Sequence, residues 1–171
     1  MKTLSLLLSA TALLSCSVHG EPLAVGAAAP ALVAKTQNGQ DLDLGEIFKK
    51  GATLVYFYPK ADTPGCTKQA CNLRDFRDDL AKAGIRVMGV SADQVPAQKA
   101  FEEKYKLNFD LIADADHKVI DAFGVPLRMG NFASRQSFLI QDGKVIWHQP
   151  NANPTTQAQD AIAALAAAKK P

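Results

Sequence analysis

Two cysteines five positions apart, Cys66 and Cys71, are the residues of this chain best suited to covalent chemistry. They follow the apolar residues 53–58, which predict a strand buried on both faces. Residues 63–65, Thr-Pro-Gly, then favour a helix start, because Thr63 can cap the helix and proline suits its first position. Cys66 therefore falls in the first helical turn, where unpaired N–H groups and the positive end of the helix dipole favour a thiolate. The pattern predicts a reactive sulfur with a second cysteine nearby.

The alternative role for a cysteine pair in an oxidising compartment is a structural disulfide. Five residues along an ideal helix place two Cα atoms about 8–9 Å apart, on opposing sides of the helix. A disulfide needs Cα atoms within about 7 Å, so bond formation requires residues 63–72 to unwind. Gly65 weakens the first turn, and residues 67–69 and Asn72 are expected to bury little surface. The spacing therefore favours a redox pair over a structural crosslink.

Length and composition predict one globular domain. The chain has 171 residues, of which 47% are hydrophobic and 21% charged, and its formal net charge is +2. Such a composition supports a hydrophobic core and is typical neither of disordered nor of fibrous proteins. A near-neutral chain without a basic run lacks the electrostatic surface that binds nucleic acid.

Residues 1–20 have the features of a signal peptide, and residues 21–171 form the predicted domain. The apolar stretch at 4–14 is too short to span a bilayer as a permanent helix. Two processing sites compete. The residues Val-His-Gly ending at Gly20 fit ordinary cleavage, whereas Leu-Leu-Ser-Cys ending at Cys16 resembles a bacterial lipobox, which would make that cysteine a lipid-anchored first residue. Either route predicts an exported, periplasmic protein, and Cys16 is not part of the catalytic pair.

Predicted strands and helices alternate through the domain. Apolar residues recur every three or four positions over 66–83, which places Cys66 on the buried face of a helix that ends at Gly84. Asn38-Gly39 and Asp142-Gly143 are turn signals that predict an N-terminal and a C-terminal hairpin. This order predicts an α/β protein with a thioredoxin-like fold, in which helices flank a central mixed sheet that follows an N-terminal hairpin. The other predicted elements are strands at 53–58, 85–91 and 109–112, helices at 46–50, 96–105 and 119–123, hairpin strands at 32–34, 41–44, 136–141 and 144–148, and a last helix from 153 to about 169.

The motif around Cys66 resembles the active-site signature of the peroxiredoxins. Pro59, Thr63 and Cys66 match the pattern Pro-x-x-x-Thr-x-x-Cys, directly after the expected strand. Cys71 resembles the resolving cysteine of the peroxiredoxin Q group, also called bacterioferritin comigratory proteins, an atypical two-cysteine class. The resemblance covers about residues 25–162 and continues through Val90-Ser91-Ala92-Asp93, Phe101, Lys104-Tyr105, Asp114, Phe123-Gly124-Val125 and residues 135–140.

This resemblance implies a thiol-specific peroxidase. The Cys66 thiolate of such an enzyme attacks hydrogen peroxide or an alkyl hydroperoxide and becomes a sulfenic acid. Cys71 then condenses with the sulfenic acid to give an intramolecular disulfide, which a thioredoxin-like donor reduces. The reaction needs no cofactor and no metal. Because both cysteines belong to one chain, a monomer suffices.

The resemblance also implies roles for three further residues. Thr63 would align the bound peroxide through its hydroxyl, and Pro59 would shield the site from bulk water. Arg135 would stabilise the thiolate and the charge that develops during the reaction. Arg128, which lies within the unpatterned residues 126–134, is the rival candidate for this cation.

Two other functions fit parts of the pattern. An exported thiol–disulfide oxidoreductase would carry Cys-x-x-Cys after the strand, whereas four residues separate the cysteines of this chain. A copper chaperone on the same fold would use both cysteines with a downstream histidine, for which His117 and His148 are available. Such chaperones favour three intervening residues, so the spacing favours the peroxidase over both.

Overall fold

The computed structural model describes residues 20–169. Most of the predicted signal peptide, including Cys16, lies outside the described residues. Six helices and nine strands lie within them. In chain order these are β1 Val33–Lys35, β2 Asp41–Asp43, α1 Leu44–Phe48, β3 Ala52–Phe57, α2 Pro64–Asp75, α3 Arg77–Ala83, β4 Ile85–Ser91, α4 Val95–Tyr105, β5 Asp110–Ala113, α5 Lys118–Ala122, β6 Leu127–Arg128, β7 Phe132–Ala133, β8 Gln136–Gln141, β9 Lys144–Gln149 and α6 Gln157–Ala168.

The central sheet has five strands in the order β5-β4-β3-β8-β9. β3 lies in the middle, parallel to β4 and antiparallel to β8, so the sheet is mixed as expected. All six residues of β3 are buried, because helices cover both faces of the sheet. The loop after this strand leads directly into α2, which carries both cysteines.

Two apolar cores lie on opposite faces of the sheet. One contains Cys66, Leu73, Leu80, Phe101 and Leu165, which come from α2, α3, α4 and α6. The other joins α1 and α5 to the opposite face through residues such as Leu44, Phe48, Val119 and Ile120. This layered arrangement confirms the predicted α/β fold. None of the helices between residues 20 and 169 is both long and apolar enough to cross a bilayer.

Both predicted hairpins are present. β1 and β2 pair antiparallel around a turn in which Gly39 has a φ of 72°. β8 and β9 pair antiparallel around Asp142 and Gly143, whose φ values of 50° and 79° are the left-handed ones that a tight hairpin turn requires. The Asx-Gly signals in the sequence therefore identified both turns.

The helix predicted over residues 66–83 is wrong as one element, because it is divided between α2 and α3. Phe76 separates the two helices with a ψ of 16°, outside the helical range, and packs its ring against the apolar core. Gly84 ends α3 in the left-handed conformation, as predicted. The break leaves the two cysteines on a separate short helix.

Two other expectations also need correction. The last helix begins at Gln157 instead of Asn153, because the Asn153 carboxamide oxygen accepts hydrogen bonds from the Thr155 N–H and hydroxyl and forms a turn there. The segment 126–134, which carried no readable pattern, contains the small hairpin β6–β7. Its two-residue strands are too short to show an alternating pattern.

Candidate active site

The loop between β3 and α2 is held by the end of β4. The Asp93 carboxylate accepts hydrogen bonds from the Ala61 backbone N–H and the Ser91 hydroxyl, both at 2.7 Å. The Thr63 carbonyl accepts the first helical bond of α2, from the Thr67 N–H at 2.8 Å. These bonds fix where α2 begins relative to the sheet, and so they fix the position of its first turn.

A second anchor connects the loop to the end of α4. Asp62 has a φ of 57°, and its carboxylate accepts hydrogen bonds from the Lys104 ammonium at 2.7 Å and the Tyr105 hydroxyl at 2.6 Å. The Lys104 hydrogen bond, followed by that of Tyr105, lowers the pKa of the Asp62 carboxyl. Asp62 is therefore ionised at neutral pH and keeps the loop against α4.

Cys66 lies in the first turn of α2 with its side chain only 1% exposed. The Arg135 guanidinium, just before β8, places Nη2 3.3 Å from the Cys66 sulfur. A Cβ atom at Gly65 would lie 3.2 Å from the same nitrogen, so glycine leaves the space in which this guanidinium sits. A helix N-terminus and a guanidinium thus both face one buried sulfur, an arrangement that stabilises a thiolate.

Gln69 holds the other nitrogen of that guanidinium. Arg135 Nη1 donates to Gln69 Oε1, and the Gln69 side chain is fully buried. The expectation that Gln69 buries little surface is therefore wrong. Its position three residues after Cys66 puts both side chains on one helix face, and this spacing could have identified it.

Cys71 is half-buried on the same unbroken helix, and both cysteines are free thiols. The Arg74 guanidinium lies beside Cys71 and also bonds to the Asp75 carboxylate and the Tyr105 carbonyl. The Asp75 hydrogen bond is the main cause that raises the pKa of Arg74, and Cys71 adds to it. Each cysteine therefore has an arginine neighbour, of which the sequence analysis identified only Arg135.

Thr63 and Pro59 lie before α2, on the same loop. Thr63 occupies the N-cap position, but its hydroxyl makes no cap hydrogen bond and instead donates to the Lys60 carbonyl at 3.0 Å. The predicted side-chain cap is therefore absent. Pro59 lines a cavity of about 350 Å³ together with Arg128 and Arg135. Ser134, Pro150, Asn151 and Ala152 complete its wall. Arg128 is thus near the site, while Arg135 is the arginine in contact with Cys66.

Two buried tyrosines share the apolar core with Cys66. Desolvation by burial is the main cause that raises the pKa of Tyr56 and of Tyr58. The Tyr58 hydroxyl donates to the Gln98 side-chain carbonyl. Both phenols therefore stay neutral, and neither adds a negative charge that would oppose a thiolate at Cys66.

The metal-binding alternative finds no support in residues 20–169, where no three side chains of His, Cys, Asp or Glu are placed to hold an ion. His148 stacks on the Phe138 ring, with centroids 4.3 Å apart, and its Nε2 bonds to Gln136. Burial lowers the pKa of this histidine. A cation at Cys66 would also be repelled by Arg135, so copper binding is disfavoured on electrostatic grounds.

The sequence itself matches known peroxiredoxins. Residues 25–149 match the AhpC/TSA family model. Peroxiredoxin Bcp of Escherichia coli K12 is 47% identical over 131 residues, which cover 72% of this chain and 83% of that protein. The chloroplastic peroxiredoxin Q of Oryza sativa subsp. japonica is 41% identical over 122 residues, which cover 71% of this chain and 56% of that protein.

Solved structures give the same result. Peroxidoxin BcpB from Mycobacterium tuberculosis superimposes with a TM-score of 0.78 at 30% identity, covering 85% of this chain and 98% of that chain. Xanthomonas campestris peroxiredoxin Q gives 0.74 at 29% identity, covering 81% and 92%. The fold is that of thioredoxin-like thiol peroxidases. The chain belongs to the AhpC/TSA family, among the peroxiredoxins of the Bcp and peroxiredoxin Q group. These relatives offer no support for the oxidoreductase or copper-chaperone alternatives.

Proposed function

We propose that this thiol-dependent peroxidase uses Cys66 as its attacking residue. The Cys66 thiolate attacks one oxygen of a hydroperoxide, the O–O bond breaks, and the second oxygen leaves as water or an alcohol after taking up a proton. The sulfur is oxidised to a sulfenic acid, and the peroxide is reduced. The observation that carries this proposal is the 3.3 Å contact between Arg135 Nη2 and the buried Cys66 sulfur, because it supplies positive charge where the reaction develops negative charge.

The proposed substrates are hydrogen peroxide and organic hydroperoxides. The cavity lined by Pro59 and Arg135 adjoins the guanidinium that contacts Cys66, so it offers an approach for a small peroxide. A structural relative, the Xanthomonas campestris bacterioferritin comigratory protein, has alkyl peroxide reduction activity. Pro59 would exclude bulk water from this approach, and the Thr63 hydroxyl would align the O–O bond.

Resolution is assigned to Cys71. Its thiol attacks the Cys66 sulfenic acid, an S–S bond forms and water leaves, so that the two sulfurs carry the oxidation together. A dithiol protein of the thioredoxin type would then reduce the disulfide by exchange. The reaction closes within one chain, and the proposed active form is a monomer.

Export to the periplasm is the proposed location, based on residues 1–20. Cleavage after Gly20 and lipidation of Cys16 give mature proteins of different mass. Intact mass spectrometry of the protein from a periplasmic and a membrane fraction distinguishes the two. A mature protein that retains residues 1–20 in the cytoplasm would contradict export.

Peroxide consumption with thioredoxin and its reductase tests the catalytic proposal. The wild-type protein should turn over continuously, and Cys66→Ser should be inactive, because a serine hydroxyl is not ionised near neutral pH. Cys71→Ser should consume about one equivalent of peroxide and then stall. Continuous turnover by Cys71→Ser at the wild-type rate would exclude Cys71 as the resolving residue, and activity in Cys66→Ser would exclude the whole scheme.

A further inference from the structure

A chain of buried side-chain amides extends from the active site to α6. Arg135 Nη1 donates to Gln69 Oε1, Gln69 Nε2 donates to Gln157 Oε1, and Gln157 Nε2 donates to the Ser137 hydroxyl. Gln69, Gln157 and Ser137 have no exposed surface. Gln157 is the first residue of α6 and lies 88 residues after Gln69. The guanidinium that contacts Cys66 is therefore connected through Gln69 to the first residue of α6, the last helix of the domain.

We call the side chains of Arg135, Gln69, Gln157 and Ser137 the relay. The direction of its hydrogen bonds is fixed by Arg135. A guanidinium can only donate, so Gln69 must turn its carbonyl oxygen toward Arg135 and its amide nitrogen away. That nitrogen needs an acceptor in the buried interior, which Gln157 Oε1 supplies. Without Gln157, the carboxamide of Gln69 would have an unpaired buried donor and would be free to rotate away from Arg135.

A second set of hydrogen bonds joins α2 to α6 next to the relay. Asn72 Oδ1 accepts from the Ala158 N–H at 2.9 Å, and its Nδ2 donates to the Thr155 carbonyl at 3.0 Å. Thr156, at the N-cap position of α6, makes no side-chain cap bond. Asn72 of α2 therefore satisfies an N–H group in the first turn of α6, in the manner of a capping residue.

Both connections lie inside the segment that must move for resolution. Gln69 is between the two cysteines, and Asn72 directly follows Cys71. Unwinding of residues 63–72 would carry Gln69 away from Arg135 and Gln157, and Asn72 away from α6. The contacts that hold Arg135 against Cys66 are thus also contacts that must break before Cys71 reaches Cys66.

We propose that Gln157 is a positioning residue that speeds the peroxide step and slows disulfide formation. This inference rests on the proposed function of Cys66 and Cys71. Through Gln69, Gln157 holds the Arg135 guanidinium in place while the thiolate reacts. It also stabilises the helical form of α2, which must unwind before Cys71 can reach the Cys66 sulfenic acid. Asn72 acts on the second step only, because its side chain makes no hydrogen bond to the side chains of Arg135, Gln69, Gln157 or Ser137.

Two variants, Gln157→Met and Asn72→Ala, test the proposal, because they should change the rates of the peroxide step and of disulfide formation differently. Gln157→Met keeps the length of the side chain and removes both hydrogen bonds, so the peroxide step should slow and disulfide formation should accelerate, each by roughly 3- to 10-fold. Asn72→Ala should accelerate disulfide formation by a similar factor and leave the peroxide step unchanged. A merely structural role for Gln157 would not move the two steps in opposite directions.

Rapid quenching of the full-length protein measures both steps. After mixing with hydrogen peroxide, samples are trapped with a sulfenic-acid-specific dione and a thiol-alkylating reagent, and the thiol, sulfenic acid and disulfide forms are counted by mass. Gln149→Ala is the matched control, because the Gln149 side chain donates a hydrogen bond to Asp160 of α6 at 3.2 Å and makes none to α2 or to the side chains of the relay. Its two rates should equal those of the wild type.

Two further measurements keep the result decisive. Ultraviolet absorbance of the thiolate should show a smaller ionised fraction at a given pH in Gln157→Met than in the control. If Gln157→Met does not fold, Ser137→Ala removes the last acceptor of the relay and should shift both rates in the same directions. Unchanged rates in Gln157→Met, or in Ser137→Ala where that variant replaces it, would overturn the relay while leaving the proposed function intact. A wild-type protein that forms neither sulfenic acid nor disulfide would instead overturn the proposed function.

Discussion

Two features of the structure favour a thiolate at Cys66, and they contribute different amounts of free energy. Its place in the first turn of α2 contributes a helix-dipole interaction of about 0.3–1 kcal/mol. A hydrogen bond from a charged guanidinium contributes about 1.5–3 kcal/mol, and more in a site that excludes water. Since Cys66 is almost fully buried, the Arg135 contact is the larger of the two. Pro59 lines the cavity beside Arg135, and neither Pro59 nor Thr63 carries a charge.

Arg135→Ala should therefore reduce the thiolate fraction of Cys66 at neutral pH and slow the peroxide step by roughly 10- to 100-fold. Thiolate absorbance during a pH titration measures the first effect, and rapid-mixing kinetics with hydrogen peroxide measure the second.

Arg128→Ala is the matched control for this experiment, because Arg128 lines the same cavity without contacting the sulfur. It should keep the thiolate fraction of the wild-type protein. Loss of thiolate in Arg128→Ala, together with a normal titration in Arg135→Ala, would exchange the roles of the two arginines.

Helix α2 can unwind separately from α3. Phe76 separates it from α3, and the apolar anchors Leu73 and Leu80 lie at or beyond its C-terminal end. Residues 66–72 combine the buried Cys66 and Ala70 with polar contacts through Gln69 and Asn72. Polar contacts are replaced by water on opening more readily than apolar ones, so the N-terminal half of α2 is the part suited to unwind.

Hydrogen exchange on the reduced and the disulfide forms tests this opening. Amide protection should be lost over residues 66–72 in the disulfide form, because the Cα atoms must move from about 8–9 Å to within about 7 Å of each other. Protection should be kept from Phe76 onward. Equal protection of residues 66–72 in both forms would mean that the disulfide fits the folded helix.

Local signals predicted most elements, and the two exceptions have different causes, one a contact with the core and the other a local turn. The Asx-Gly turns, the buried β3 and the end of α3 at Gly84 follow from nearby residues. The break at Phe76 depends on how its ring packs against the core, and the apolar periodicity continues through it. The late start of α6 depends on the Asn153 turn.

In the candidate site too, some residues follow from local sequence and others only from the fold. The motif placed Cys66, Thr63 and Pro59 together because they are neighbours in sequence, and the resemblance pointed to Arg135. The relay beyond Arg135 has no local signal, since Gln157 is 88 residues from Gln69 and reads as one polar residue at a helix start. Only the fold, which brings α6 against α2, shows that the two side chains meet.

Formation of the Cys66–Cys71 disulfide has two opposing effects on the stability of the folded domain. A disulfide that closes a six-residue loop stabilises the chain by about 2 kcal/mol through loop entropy. Unwinding exposes Cys66 and Ala70, which are buried, and breaks the hydrogen bonds of Gln69 and Asn72 to α6. At about 1 kcal/mol for each lost hydrogen bond, in addition to the lost apolar burial, the cost exceeds the gain.

The disulfide form should therefore melt at a lower temperature than the reduced form, by roughly 3–8 °C for a domain of this size. Calorimetry before and after treatment with one equivalent of peroxide measures the difference. Cys66→Ser is the control and should show no change on treatment. A higher melting temperature for the oxidised wild-type protein would identify the bond as a stabilising crosslink instead of a catalytic one.

The central claim is that one hydroperoxide oxidises Cys66 and that Cys71 of the same chain resolves it. Trypsin cuts after Lys60, Lys68 and Arg74, so it places the two cysteines on separate peptides, residues 61–68 and 69–74. After one equivalent of hydrogen peroxide and alkylation of the remaining thiols, mass spectrometry should find these two peptides joined by a disulfide. The intact protein should keep the mass of one chain, less two hydrogens for the disulfide and plus the alkyl groups on any other cysteine. An alkylated, unoxidised peptide 69–74 beside an oxidised peptide 61–68, or a disulfide between two chains, would contradict this claim.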